Sequence, residues 1–288
     1  MAKEVIDGKH VDQKIKSRNP VIEFDQLQMY FRKPYIIDLE GVDGKITLVQ
    51  PSIADIVRLG EKRFYATLNI FTTNTTAFRL QLWEQGFDWN VISDFDLFIM
   101  LLTNAEKEVY QTFLPDIDFS KFTRFAKHIS EEETVGVLYD IENKIEINEQ
   151  VYFHISQHLR MLFNIYPAEK ITEDAILKKW YIDKDKRELA IREEKKEKGQ
   201  LDDNSNLMPI ISGCINHPGF KYKSSELKEI GVYEFWDSVK RLQVYESTTA
   251  LQKGMYSGFM DTKNINPEDY NFMRVIWLIN KHPNKGAF

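Results

Sequence analysis

The chain has 288 residues, 43% of them hydrophobic and 28% charged, with 38 Lys+Arg against 44 Asp+Glu and a net charge of -6. This is ordinary for a globular protein with a substantial core. The acidic balance argues against generic nucleic-acid binding, which needs cations to neutralise phosphates.

Cysteine use is sparse: a lone Cys214 cannot form an intramolecular disulfide, which points to a reducing compartment or a disulfide-free fold. The opening residues carry Lys3, Glu4, Asp7 and Lys9 with no apolar core, so they do not read as a signal peptide. No apolar run approaches the ~18 residues of a membrane helix. A cytosolic protein with no membrane contact is expected.

In chain order, residues 1–19 read as a polar arm. Val21–Phe24, Tyr35–Leu39 and Ile46–Val49 read as extended, with turns at Gly41 and V-D-G-K 42–45, so a small N-terminal hairpin is predicted. Ser52, with Asp55 three residues later, caps a helix that breaks at Gly60. Asn74 or Thr75 opens the next helix, with Gly86 at its C-terminal cap. Ser93 with Asp96 repeats the capping arrangement and starts a helix predicted to run to about Thr112, stopped by Pro115.

Thr134–Tyr139 and Lys144–Ile147 flank a D-I-E-N turn and predict a central hairpin. Gln150–Ile165 has helical spacing, with Ile155, Leu159 and Leu162 on one side and Pro167 ending it. Residues 183–198 carry thirteen charges, seven positive and six negative, many of opposite sign three or four apart, which predicts an exposed helix. The linker G-Q-L-D-D-N-S-N follows. Beyond it, S-S-E-L-K-E-I-G reads as a short helix stopped by Gly231, and Val232, Phe235, Trp236, Val239 and Leu242 recur at helical intervals. Asn266-Pro267-Glu268-Asp269 reads as a further helix start. The predicted class is α+β and predominantly α-helical. Its parts are an arm (1–19), a main α+β domain (20–182), a charged helix and linker (183–206) and a helical C-terminal module (207–288).

Candidate chemistry is thin. His154 and His158 lie four apart on a predicted helix and could grip one ion, but the glutamate of a zinc protease motif is absent and spacing suggests no third ligand. Helix-packing histidines are the simpler reading, with a metal-dependent or small-molecule enzyme using this pair as one alternative. Cys214 and His217 sit three apart, an arrangement that does not ensure nucleophile–base geometry. No phosphate-binding glycine loop occurs. Asp94/Asp96, Asp116/Asp118 and Glu131–Glu133 read as helix starts, turns or solvated surface. No catalytic residue and no cofactor are predicted.

The aromatic run is the strongest feature. Phe78, Trp83, Phe87, Trp89, Phe95 and Phe98 crowd one segment, and Phe235, Trp236 and Tyr256 recur near the C-terminal end. Between Arg63 and Lys107 the only cation is Arg79, so a base-stacking platform is not expected. These nine residues are predicted to form core or a partner-binding groove.

Three passages carry a resemblance: I-T-L-V-Q-P-S-I-A-D-I at 46–56, the Leu82–Leu102 segment, and S-S-E-L-K-E-I-G-V-Y-E-F-W-D-S-V-K-R-L-Q at 224–243. They resemble tail-assembly chaperones and neighbouring morphogenesis proteins of bacteriophages from Gram-positive hosts. The resemblance implies a non-enzymatic protein of the host cytoplasm that binds a long helical tape-measure or other tail protein; self-association is a separate expectation. A structural virion component, such as a connector or tail protein, is the alternative.

Overall fold

The structure, a computed structural model, describes residues 22–39, 44–128, 134–200, 205–258 and 265–274. Eleven α-helices and five strands in two small antiparallel sheets appear among them, so the protein is α+β and predominantly helical. The predicted arm, the turn at Gly41 and 42–43, and Glu131–Glu133 lie outside the described residues.

A short helix α1 (Gln26–Tyr30) opens the described chain, capped by Asp25, whose carboxylate accepts from the Leu27 and Gln28 amides at 3.0 and 3.1 Å. It corrects the extended reading of Val21–Phe24: the described part of that run, residues 22–24, is irregular and leads into the cap. Strands β1 (Tyr35–Asp38) and β2 (Lys45–Leu48) form the predicted hairpin, with Tyr35 opposite Leu48. Ile46 and Leu48 point into the core and are fully buried.

Helix α2 (Ile53–Leu59) has the predicted capping box: Ser52 Oγ accepts from the Asp55 amide at 3.2 Å, and the Asp55 carboxylate accepts from the Ser52 amide at 2.9 Å. Gly60, at φ 85°, turns the chain directly into α3 (Glu61–Thr72), which has no side-chain cap to mark its start in sequence. Helix α4 (Arg79–Glu84) ends as predicted at Gly86, where a Schellman pair runs from the Phe87 amide to Leu82 O (2.8 Å) and from the Gly86 amide to Trp83 O (3.0 Å).

The helix expected from Ser93 to about Thr112 is instead broken. Helix α5 (Asp94–Leu101) passes through a 3₁₀ turn at Leu102–Asn104 into extended Ala105 before α6 (Lys107–Tyr110). Contacts with α3 favour the break: the Glu106 amide donates to Thr67 Oγ1 at 3.2 Å, and Arg63 Nε donates to the Glu106 carboxylate at 2.8 Å. Val109 and Tyr110 are thereby buried together. Pro115 follows α6, which packs on α3.

The second sheet has the order β3 (Phe122–His128), β4 (Thr134–Asp140), β5 (Ile145–Ile147). Its β4–β5 hairpin is the predicted one, and Asp140 stabilises the turn by accepting from the Glu142 and Asn143 amides. Strand β3 is an addition to that reading. Helix α7 (Glu149–Phe163), capped by Asn148 and closed by Asn164 in the left-handed region, runs through the centre and packs on α3, α5 and α11. Phe71 of α3 anchors the aromatic core, with Phe98 and Phe113 ring centroids 5.1 and 5.2 Å away, and Phe98 stacks on Tyr152 of α7 at 4.7 Å.

Helix α8 (Ala175–Glu197) is the predicted charged helix, begun earlier than charge alone marks it because Asp174 caps the Ile176 and Leu177 amides. Past the linker come α9 (Leu207–Asn216), α10 (Ser224–Leu227) and α11 (Val232–Tyr256). Asn266 does cap, accepting from the Glu268 amide, but only a 3₁₀ turn at Pro267–Tyr270 follows in place of the expected helix. Residues 275–288 of the predicted C-terminal module lie outside the described set.

The apolar core is continuous across the predicted boundary at 199–206. Leu207, Cys214, Leu227, Val232 and Phe235 share one buried cluster with Ile46, Phe64 and Leu159. Polar contacts reinforce that seam. The Glu61 carboxylate of α3 accepts from the Asn206 and Leu207 amides at 3.0 Å each, a cap supplied from far away in sequence. Buried Gln50 donates to Met29 O at 3.0 Å and accepts from the Tyr233 amide at 3.2 Å. A Cβ at Gly231 would lie 1.7 Å from the Gln50 carboxamide oxygen, so any larger residue there displaces Gln50 from these bonds.

Candidate interaction surfaces

The nine predicted aromatics separate into three environments. Trp89, Phe95, Phe98 and Phe235 are buried core. Phe78 and Trp236 are half-buried, each packed against a core cluster. Trp83 and Phe87 are 42% and 43% exposed, and Tyr256, near the end of α11, is 90% exposed. No single platform collects them. Trp89 explains part of the division: its indole N–H donates to Lys170 O at 3.1 Å, drawing it into a small cluster with Leu80, Leu82, Leu97 and Ile182 while Trp83 stays at the rim, 6.0 Å away and edge-on.

The two histidines of α7 are engaged in packing. Tyr35 of β1 stacks on His158 at 4.9 Å, and its hydroxyl lies 2.8 Å from His154 Nδ1. Phe24 meets His158 edge-on at 5.1 Å. His158 is buried, its Nδ1 has no hydrogen-bond partner among the described residues, and burial pushes its pKa down to about 3. Burial also lowers that of His154. An imidazole stacked and desolvated in this way is held neutral by its surroundings. Among the described residues no group of three or more His, Cys, Asp or Glu side chains is placed to hold a metal ion.

Cys214 sits inside α9, not in a loop, and burial raises its thiol pKa. His217 is turned to other partners: its Nδ1 accepts from the Gly219 amide at 3.0 Å and its Nε2 lies 3.2 Å from Glu246. Asp94 and Asp96 serve the start of α5, and Asp118 pairs with Lys107 at 2.6 Å, which holds its carboxyl down at about 2.

Sequence reasoning did not single out the groove between α9 and α11. It is an open cavity of about 410 Å³ to whose lining α7 contributes its C-terminal cap, Asn164. Pro209, Ile210 and Gly213 form one wall; Trp236, Val239 and Leu242 form the other. The Trp236 indole nitrogen is buried with no hydrogen-bond partner among the described residues, so a further acceptor near it is favoured. Lys240 donates to Asn164 Oδ1 at 2.7 Å, and burial lowers its pKa. The helical repeat from Val232 to Leu242 was legible, but the facing wall was not: Ser205 Oγ accepts from the Met208 amide at 2.8 Å, and Glu61 of α3 caps the same helix start across the fold.

A second exposed apolar surface is the outer side of α8, where Ile176, Trp180 and Ile191 are 80%, 48% and 52% exposed. No helix among the described residues is long and apolar enough to cross a membrane.

Residues 195–276, less than a third of the chain, match the family model described as YomV second domain, a phage-associated family. Of the three passages that carry the resemblance, only 224–243 falls inside that match. No curated protein and no solved structure matches the chain. The family match, which spans α9 to α11 and most of the groove lining, points to a phage protein.

Proposed function

We propose that this chain is a non-enzymatic phage morphogenesis factor, a tail-assembly chaperone acting in the host cytoplasm by covering apolar stripes of a long helical tail protein of the tape-measure kind. The observation that carries this reading is the α9–α11 groove: apart from Asn164, its lining residues fall inside the segment that matches a phage-associated domain. An open channel with apolar walls, a buried unsatisfied indole N–H and a lysine at one end suits an amphipathic helix laid along it, its apolar positions one turn apart and an acceptor side chain at the edge.

Gly213 gives a direct test. A Cβ at this position meets nothing within 4 Å, and the residue lines the groove. Gly213→Glu is expected to leave the fold intact, as judged by circular dichroism and thermal midpoint, while placing a charge in the channel. Affinity capture from a producing cell, read by mass spectrometry, should recover a long helical tail protein with the unaltered chain and lose it with the variant. Equal recovery by both removes the groove from the interaction. Recovery of capsid, portal or tube proteins, with the chain present in purified particles, turns the reading to a structural virion component.

A further inference from the structure

Helix α8 turns two unlike sides to its surroundings. The inner side is fixed to the α4–α5 region: Lys178 Nζ lies 2.5 Å from Asp88, Ile182 is buried, and the Asp185 carboxylate accepts from both arms of the Arg79 guanidinium at 2.6 and 2.5 Å. With 3.6 residues per turn, positions 176, 180, 187 and 194 fall about half a turn away, on the outer side, and 183 and 190 fall about a third of a turn away on one flank of it. Their spacing alternates four and three, as in a coiled-coil seam. Ile176 and Trp180 are exposed on it, with Ile191 beside it. Neither Lys179 nor Asp183 has an ion-pair partner among the described residues. A helix about 34 Å long with Ile182 as its one buried residue has an outer side that no other element covers among the described residues.

We propose that the outer side of α8 pairs with α8 of a second copy of this chain, antiparallel and centred on Asp185. The charge pattern decides both the occupant and the direction. In the antiparallel register Trp180 meets Ala190 and Ile191 of the second copy, and Asp183 meets Arg187. Each contact occurs twice by symmetry. A parallel pairing would set Asp183 against Asp183 and Arg187 against Arg187, so like charges would face each other along the seam. Two opposite-charge contacts and two apolar ones favour the antiparallel dimer. One helix pair buries less than a standard interface of ~1,200–2,000 Å², so the dissociation constant is expected to be about micromolar.

Sedimentation equilibrium of the full chain over a range of concentrations tests this, and it does not depend on any phage partner. The unaltered chain should show a reversible monomer–dimer equilibrium. Arg187→Asp and Asp183→Arg should each weaken it by about tenfold or more, the effect of roughly 1.4 kcal/mol. The double exchange Asp183→Arg/Arg187→Asp should restore it, because each opposite-charge contact is rebuilt with its sign reversed. Circular dichroism confirms that the helix persists in each variant. A chain that stays monomeric at all concentrations overturns the proposal. So does a single reversal that leaves the dimer constant unchanged, or a double exchange that fails to restore it.

Discussion

Helices α7 and α8 are close in sequence and owe their stability to different causes. In α7 ten of fifteen residues are buried, and even its polar members are absorbed. Arg160 lies inside the core, where its guanidinium donates to Thr72 O and Thr73 O at 2.7 and 2.5 Å at the C-terminal end of α3. Asp94, 3.6 Å away, balances its charge. In α8 one residue of twenty-three is buried. What holds α8 is the Asp174 cap, i,i+4 pairs such as Lys184–Glu188 at 3.6 Å, and the attachments to Asp88 and Arg79. Tertiary packing makes α7, whereas local propensity and a few ion pairs make α8. A helix of the second kind is free to offer a side to a partner; one of the first kind is not.

Substitutions can break that comparison or sharpen it. The largest effect is expected from Leu159→Ala in α7, where a fully buried side chain would leave a cavity beside α3. Denaturant unfolding should show a loss of about 2–5 kcal/mol. A loss near zero would mean that α7 is not packed as described.

A smaller effect, graded with pH, is expected from His158. Burial puts its folded pKa at about 3, below the ordinary value of 6.5, so between these limits the unfolded chain binds more protons than the folded one. Stability from this group is complete above about pH 6.5 and is lost as pH falls toward 3, by up to about 1.4 kcal/mol per pH unit. His158→Phe removes the proton site and keeps a ring against Tyr35. Between pH 4.5 and 6.5, where the ordinary carboxylates are mostly ionised, the variant should show a shallower decline than the unaltered chain. Parallel pH profiles would show that His158 is solvated.

The smallest effect is expected from Ile191→Ala on the exposed half of α8. Monomer stability should change by no more than about 0.5 kcal/mol, even though the residue is large and apolar. A loss comparable to that at Leu159 would place Ile191 in a core and erase the distinction between the helices.

Much of the fold was legible locally. Ser52 with Asp55, Gly86, Ser93 with Asp96 and the D-I-E-N turn each state their structure within four residues, since a cap or turn is a hydrogen bond between near neighbours. Helix α3 and strand β3 were not legible, and the first has no side-chain cap to mark its start. The break between α5 and α6 had no local signal either, as Thr67 and Arg63 lie on another helix. The aromatic run was visible as a cluster, yet its division into buried Trp89 and exposed Trp83 depended on the carbonyl of Lys170. The α9–α11 groove was half-written: one wall repeats at helical spacing, and the other, capped locally by Ser205, is also held by Glu61 from a distant helix.

By itself the sequence determined a predominantly helical α+β chain, its hairpins, most of its caps and the charged helix, because these follow from periodicity and from hydrogen bonds a few residues long. Only the tertiary structure decided that His154 and His158 belong to a stack on Tyr35. The same is true of the core that runs unbroken past the 199–206 linker, and of the two apolar surfaces left open, the α9–α11 groove and the outer side of α8. The physical reason is common to all three. Burial is a property of which distant segments meet, and the sequence specifies what each segment can bury without stating which surface will be covered.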